Sequence, residues 1–236
     1  MLETIREFAA DRLDQRPEFS ARVRRAHATH FAGLAFRSRA DLMGNQRETA
    51  LAALAAEVAN LRIAWRYWVS AGDLAQLDRL ADTLLILNDA RGWYLDTVEL
   101  TSDMLGVLRA HPATPDQIGQ EIALRTSLAR ALMTTKGVTE EVESAFTSAV
   151  ELFERGTDVR QQFSVLRGLA SLYMFRGQLD ETARLGHEIL ALGKSGGGPT
   201  MLINGHLLVG AHMTTVVDLA RPGFGITIRL VAMSRS

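Results

Sequence analysis

The chain has 236 residues, a formal net charge of −1 and 47% hydrophobic residues, enough to bury a sizeable core in one large or two ordinary domains. It contains no cysteine, which excludes disulfide scaffolds, thiol nucleophiles, iron–sulfur clusters and thiolate-ligated zinc. The near balance of 26 basic and 27 acidic residues gives no global field for nucleic acid or anionic membrane.

The N-terminal stretch MLETIREFAADRLDQR is amphipathic and carries Glu3, Glu7, Asp11 and Asp14, unlike a secretory signal or a mitochondrial presequence. Leu2, Ile5, Phe8, Ala9 and Leu13 recur at helical spacing, which predicts a first helix ended by Pro17. From Pro17 to about Met43, Val23, Ala26, His30, Phe31, Leu34 and Ala35 predict a second helix with an apolar stripe. Its outside carries Arg22, Arg24, Arg25, Arg37 and Arg39. Gly44–Asn45 punctuates, a third helix is predicted over Glu48 to Ser70, and a fourth begins after Gly72–Asp73. Val, Ile and Thr form no alternating hairpin pairs in this region, so the expected class is all-α. No stretch approaches the roughly 18–20 apolar residues of a membrane helix, and a cytoplasmic protein is expected.

Beyond residue 80 the chain repeats itself. Leu169–Ala170–x–x–Tyr173–x–x–x–Gly177–x–Leu179–Asp180–Glu181 leads to Ile189–Leu190–x–Leu192. The same frame recurs as Leu128–Ala129–x–x–Leu132 with a turn at Lys136–Gly137, and as Arg91–Gly92–Trp93–Tyr94–Leu95 before Met104–Leu105. A fourth copy begins at Val209–Gly210–x–x–Met213, with Val217–Asp218–Leu219 read as its turn. The turns fall about 40 to 44 residues apart, a spacing that fits helix pairs burying their faces on their neighbours in an α-solenoid.

This frame resembles the tetratricopeptide repeat, with the period loosened to about forty residues. In the copy at 169–192, Ala170, Tyr173 and Gly177 match, whereas Thr182 and Gly186 replace the alanine and aromatic that the family prefers. Both replacements are expected to loosen local packing. The N-terminal part, Leu2–Glu3–Thr4–Ile5–Arg6–Glu7–Phe8–Ala9 with Arg25–Ala26–His27–x–x–His30–Phe31, resembles the joint between winged helix and helical repeats in bacterial signal-transduction NTPase (STAND) regulators. Glu57–Val58–Ala59–Asn60–Leu61–Arg62–Ile63–Ala64–Trp65–Arg66–Tyr67–Trp68 resembles the same joint. Those regulators include antibiotic-regulatory and LuxR-like transcriptional activators and cyclase-domain relatives common in actinobacteria. The resemblance covers about residues 1–220. It implies a helical joint at 1–72, in which Asn60, Arg62, Trp65 and Trp68 tie one helix pair to the next. Tetratricopeptide-like repeats over 73–220 follow from it. The segment 221–236, with Pro222, Gly223 and Gly225, departs from the pattern and reads as an irregular, disordered tail of a truncated last repeat.

Catalytic motifs are incomplete. Gly193–Lys194–Ser195 ends like a phosphate-binding loop, but Glu188 stands where the first glycine belongs. His27 and His30 are three apart and lack the H-E-x-x-H pattern of a zinc helix, so a packing role is expected for His30. Glu140, Glu141 and Glu143, and likewise Asp180 and Glu181, follow turns and suit the positive ends of helices, with Thr114 and Thr139 as N-caps. Residues 1–40 hold eight arginines against five carboxylates, yet the resemblance leaves only the last helix of a winged helix there, without its DNA-reading element.

The expectation is therefore a non-catalytic interaction or sensor module of a bacterial regulator, a fragment or truncated relative of the STAND type. No catalytic, metal or cofactor residues are assigned. Its partner is a protein or peptide, or a small effector, held on a face that includes Arg167, Tyr173 and Arg176. DNA binding by this chain alone and membrane association are not expected; self-association through apolar surface at the last repeat is. The other readings are a DNA-binding transcriptional regulator, or a protein named as ATPase or adenylate cyclase through domains outside this chain.

Overall fold

A computed structural model describes residues 15–112, 114–153 and 158–219. These form ten α-helices and no strand. The first predicted helix and the tail at 221–236 lie outside the described residues. None of the described helices is long and apolar enough to cross a membrane. The chain divides into two compact units at Pro112/Ala113, inside the segment read as repeats.

The first unit holds α1 (Pro17–Met43), α2 (Arg47–Ala56), α3 (Val58–Ala71), α4 (Leu74–Arg91) and α5 (Tyr94–Leu108). Pro17 opens α1, where its fixed φ and missing N–H cost nothing. α1 packs on α2, α3 and α4, and α5 packs on α3 and α4. The core is Leu42, Leu54, Leu61, Trp65, Trp68, Leu77, Leu80, Leu87 and Met104. α1 enters it through fully buried Ala28, Ala32 and Ala35, whose small size lets backbones approach until Thr83 Oγ1 donates to the Ala35 carbonyl at 2.8 Å. This alters the sequence expectation for α1. The helical period is right, but the buried face is turned, and Val23, Ala26 and His30 are exposed. Alanine is a weak hydrophobic signal beside valine, yet here it gives the closest packing.

The single helix predicted over Glu48 to Ser70 is divided at Glu57, which has φ −101° and ψ 7° and separates α2 from α3. Neither proline nor glycine marks that break. The Glu57 carboxylate accepts from Asn60 Nδ2 at 2.7 Å, a local bond that competes with helix continuation.

The second unit holds α6 (Pro115–Lys136), α7 (Glu140–Val150), α8 (Val159–Phe175), α9 (Leu179–Leu192) and α10 (Pro199–Leu219), with a π turn at Gly193–Gly197. Thr114 and Gln117 close a capping box at the start of α6, and Asp158 caps α8. α6 packs on α7 and α8, α8 on α7, α9 and α10, and α9 on α10. Phe146, Ala129, Leu132, Leu172 and Leu185 are almost fully buried, as is Ala170 of the repeat frame.

Four glycines end helices with positive φ: Gly72 (65°), Gly92 (71°), Gly137 (78°) and Gly177 (73°). Three share one bond pattern, in which the residue after glycine donates to a carbonyl five residues back: Asp73 to Trp68, Trp93 to Asn88 and Gln178 to Tyr173. This Schellman closure reverses the chain directly into the next helix. Gly137 differs, with ψ −156° and an added bond from Thr139 N to Gly137 O. The turn read at 217–219 is absent, since α10 continues to Leu219. Thr214, Thr215, Val216, Val217 and Asp218 are weak helix formers, and the helix runs through them as the end of a 21-residue element, since extending a formed helix costs far less than starting one.

Thr182 and Gly186 also differ from expectation. Thr182 is fully buried, and its hydroxyl bonds to the Gln178 carbonyl of its own helix. A Cβ added at Gly186 would stand 3.0 Å from Leu208 and Val209, so this glycine is where α10 meets α9 closely. An aromatic is missing because α10 occupies its space.

Candidate functional site

The four joint residues all lie on α3. Asn60 reaches α1, its Oδ1 lying 3.3 Å from His27 Nε2, while its amide bonds Glu57. Arg62 pairs with Asp96 of α5 and lies over the Trp93 ring at 5.5 Å. Trp65 is buried and donates from Nε1 to Asp103 of α5 at 3.1 Å. Trp68 is 3% exposed, stacks edge-on against Tyr67 and has no hydrogen-bond partner for Nε1 among the described residues. α3 is thus bonded to α1 through Asn60 and to α5 through Arg62 and Trp65.

Of the three residues assigned to a partner face, two are turned inward. Tyr173 donates from its hydroxyl to Glu143 of α7 at 2.9 Å. Arg176 pairs with the same carboxylate and donates to the carbonyls of Thr139 (2.8 Å) and Val138 (3.3 Å). Together they clamp the end of α8 to the first turn of α7. The guanidinium hydrogen bond holds the Glu143 carboxyl below the ordinary glutamate value, with the Tyr173 hydroxyl adding to it. Burial, with Glu143 beside it, pushes the Tyr173 phenol up. Glu143 was read as a helix-end carboxylate, and its long-range partners come from a helix thirty residues on. Thr139 makes no side-chain cap, and its hydroxyl is buried without a partner among the described residues.

Arg167 is exposed. On α8 it follows Arg160 and Ser164 at spacings of seven and three, so the three residues share one helical face. That face borders a groove between α6 and α8 with about 220 Å³ of room. α6 contributes Thr126, Ser127 and Arg130, and α8 contributes Arg160, Gln161 and Ser164. Gln161 donates to the Gly119 carbonyl at 3.1 Å and fixes α8 against α6. Arg130 and Arg160 are exposed and have no ion-pair partner among the described residues, whereas Arg125 on α6 is held by Glu121. The groove therefore offers two uncommitted guanidiniums and the hydroxyls of Ser127 and Ser164 on adjacent helices. Periodicity alone did not single out Arg130 and Arg160. The signal that could have found them is polar residues repeating on one face of two consecutive first helices.

No described group of three or more His, Asp or Glu side chains is arranged to hold a metal ion. His27 stacks on Phe31 at 4.6 Å and His30 meets its edge at 5.0 Å, although His30 is exposed. Lys194 and Ser195 sit in the π turn at the end of α9, with Ser195 Oγ donating to Leu192 O. Asp180 and Glu181 occupy the first turn of α9, as expected for dipole-complementing carboxylates.

With this geometry in view, no protein-family model matches the chain, and no curated protein or solved structure is similar to it.

Proposed function

We propose that the chain is a non-catalytic helical-repeat interaction module, tetratricopeptide-like with a period of about forty residues, from a bacterial regulator of the STAND type. Its partner is an extended, acidic segment of another protein, lying in the groove between α6 and α8. The observation that carries this reading is the coincidence of that groove with two first-helix arginines that have no ion-pair partner among the described residues. Repetition supports it as well. α8 packs on both α6 and α10, the other first helices, while α7 and α9 act as the second helices of their pairs. The recurring glycine closures at Gly92 and Gly177 match the repeat frame of the sequence.

Binding in such a groove needs no chemistry from the module. Guanidiniums take carboxylates in paired hydrogen bonds, serine hydroxyls serve the backbone of an extended segment, and the helices supply a rigid frame. In a regulator, the bound segment would bias a switch carried elsewhere.

A peptide-display selection on the full chain tests the proposal, with Arg130→Glu/Arg160→Glu as the counter-selected variant. Acidic sequences are expected, binding the variant at least about tenfold more weakly. Recovery of peptides without acidic residues, or with equal affinity for the variant, would contradict it. Micromolar ATP affinity by titration calorimetry would instead favour a catalytic reading.

A further inference from the structure

The first unit has an opening of its own between α3, α4 and α5, with about 110 Å³ of room. Trp65, Leu84 and Leu100, each nearly buried, give it apolar lining. Arg62 and Asp96 line it too, but they are committed to each other.

Three further lining groups are not committed, one from each helix. Asn88 of α4 is only 3% exposed, and its carboxamide bonds to none of the described residues yet is not sealed from solvent. A carboxamide carries two donors and an acceptor, and buried polar groups are normally paired. The space it borders is this cleft. Arg66 of α3 and Glu99 of α5 line the same cleft and are exposed. Neither has an ion-pair partner among the described residues, and they do not pair with each other. The cleft thus presents one free cation, one free anion, an amide able to donate and accept, and apolar surface.

We propose that this cleft binds a small zwitterion, an α-amino acid with a short apolar side chain. Arg66 takes the carboxylate through its planar fork of donors, and Glu99 takes the ammonium. Asn88 bonds to the polar end of the ligand, and Trp65, Leu84 and Leu100 cover its side chain. Room of about 110 Å³ beside this apolar lining favours a short side chain over an aromatic one. The three polar contacts come from three helices, so the ligand would join α3, α4 and α5. α3 also carries the joint residues, and occupancy would stiffen the helix that links its neighbours.

The test titrates each of the twenty amino acids, with their N-acetyl and carboxamide forms, against the full chain. Tryptophan emission is the readout, since the chain's three tryptophans, Trp65, Trp68 and Trp93, all lie in this unit. Thermal unfolding gives a second readout, because a ligand of the native state raises the midpoint. A small aliphatic amino acid is expected to saturate the emission change and raise the midpoint, with each blocked form at least about tenfold weaker. Arg66→Gln and Glu99→Gln, both at exposed positions, are expected to weaken it about tenfold, and Asn88→Leu to abolish it. Arg130→Glu/Arg160→Glu should leave it unchanged, which separates this site from the groove. The proposal is overturned if no amino acid saturates the signal, if a blocked form binds as well as the parent, or if Arg66→Gln and Glu99→Gln bind normally.

Discussion

Gly168 of α8 lies where one methyl group decides a helix crossing. A Cβ there would stand 2.4 Å from the ring of Phe146, which is fully buried on α7. Gly168→Ala is expected to cost about 1–2 kcal/mol by overpacking, even after the helix-propensity gain of alanine. Adding Phe146→Leu should recover part of the loss, and urea unfolding of the single and double variants measures both. The Glu143–Arg176–Tyr173 cluster makes a pH-dependent contribution. Glu143 has a folded pKa below its ordinary 4.5, so the stability it adds is full above that value. It is lost as pH falls through the lower, folded value. With side-chain exposures of 19% and 33% for Arg176 and Glu143, the pair should be worth about 1 kcal/mol at neutral pH. Glu143→Gln should therefore lower stability at pH 7, and the gap from the native chain should close in acid. A gap unchanged down to acid pH would show that the carboxylate charge contributes nothing. Tyr173 and Arg176 stood out in the sequence by type and position. Their bonding to α7 was not legible, because Glu143 and the carbonyls of Val138 and Thr139 lie 30 to 38 residues away in sequence.

At the scale of the element, helix ends were the most legible feature. Gly72, Gly92 and Gly177 close helices in the left-handed region, where a side chain is strained. Gly177→Ala should destabilise by about 1 kcal/mol, while Gly106→Ala, in open space within α5, should stabilise by about 0.5–1 kcal/mol. Thermal melts of the two variants should thus move in opposite directions. Thr114→Ala removes half of the α6 capping box and should cost about 1 kcal/mol. Thr139 read as the same kind of cap, but its hydroxyl accepts no backbone N–H of α7 and has no partner among the described residues. Helix faces were less legible than helix ends. In α1 the core side is chosen by Ala28, Ala32 and Ala35, which have little hydrophobic weight but fit a close approach. The break at Glu57 and the continuation of α10 to Leu219 were likewise hidden. No glycine or proline marks the first, and no local signal distinguishes a turn from a helix at the second.

At the scale of the whole molecule, the near-zero net charge says nothing of local pairing. Arg130 and Arg160, without ion-pair partners among the described residues, line the groove of the second unit, and Arg66 and Glu99 line the cleft of the first. Composition excluded a globally basic surface, but the groove depends on which arginines the fold leaves unpaired. Binding there is expected to weaken as salt is raised, since exposed guanidiniums are screened over about 8 Å at physiological ionic strength. Insensitivity to salt would point to an apolar contact instead. The cysteine-free chain permits the most direct test of where a partner lies. A photo-crosslinker is attached through Ala123→Cys, which lines the groove, or through Ala191→Cys, exposed on α9, and an acidic peptide from the selection is added. Efficient crosslinking at position 123 and little at 191, abolished by Arg130→Glu/Arg160→Glu, is the expected result. Equal crosslinking at both positions, or crosslinking at 191 alone, would contradict the groove as the binding site.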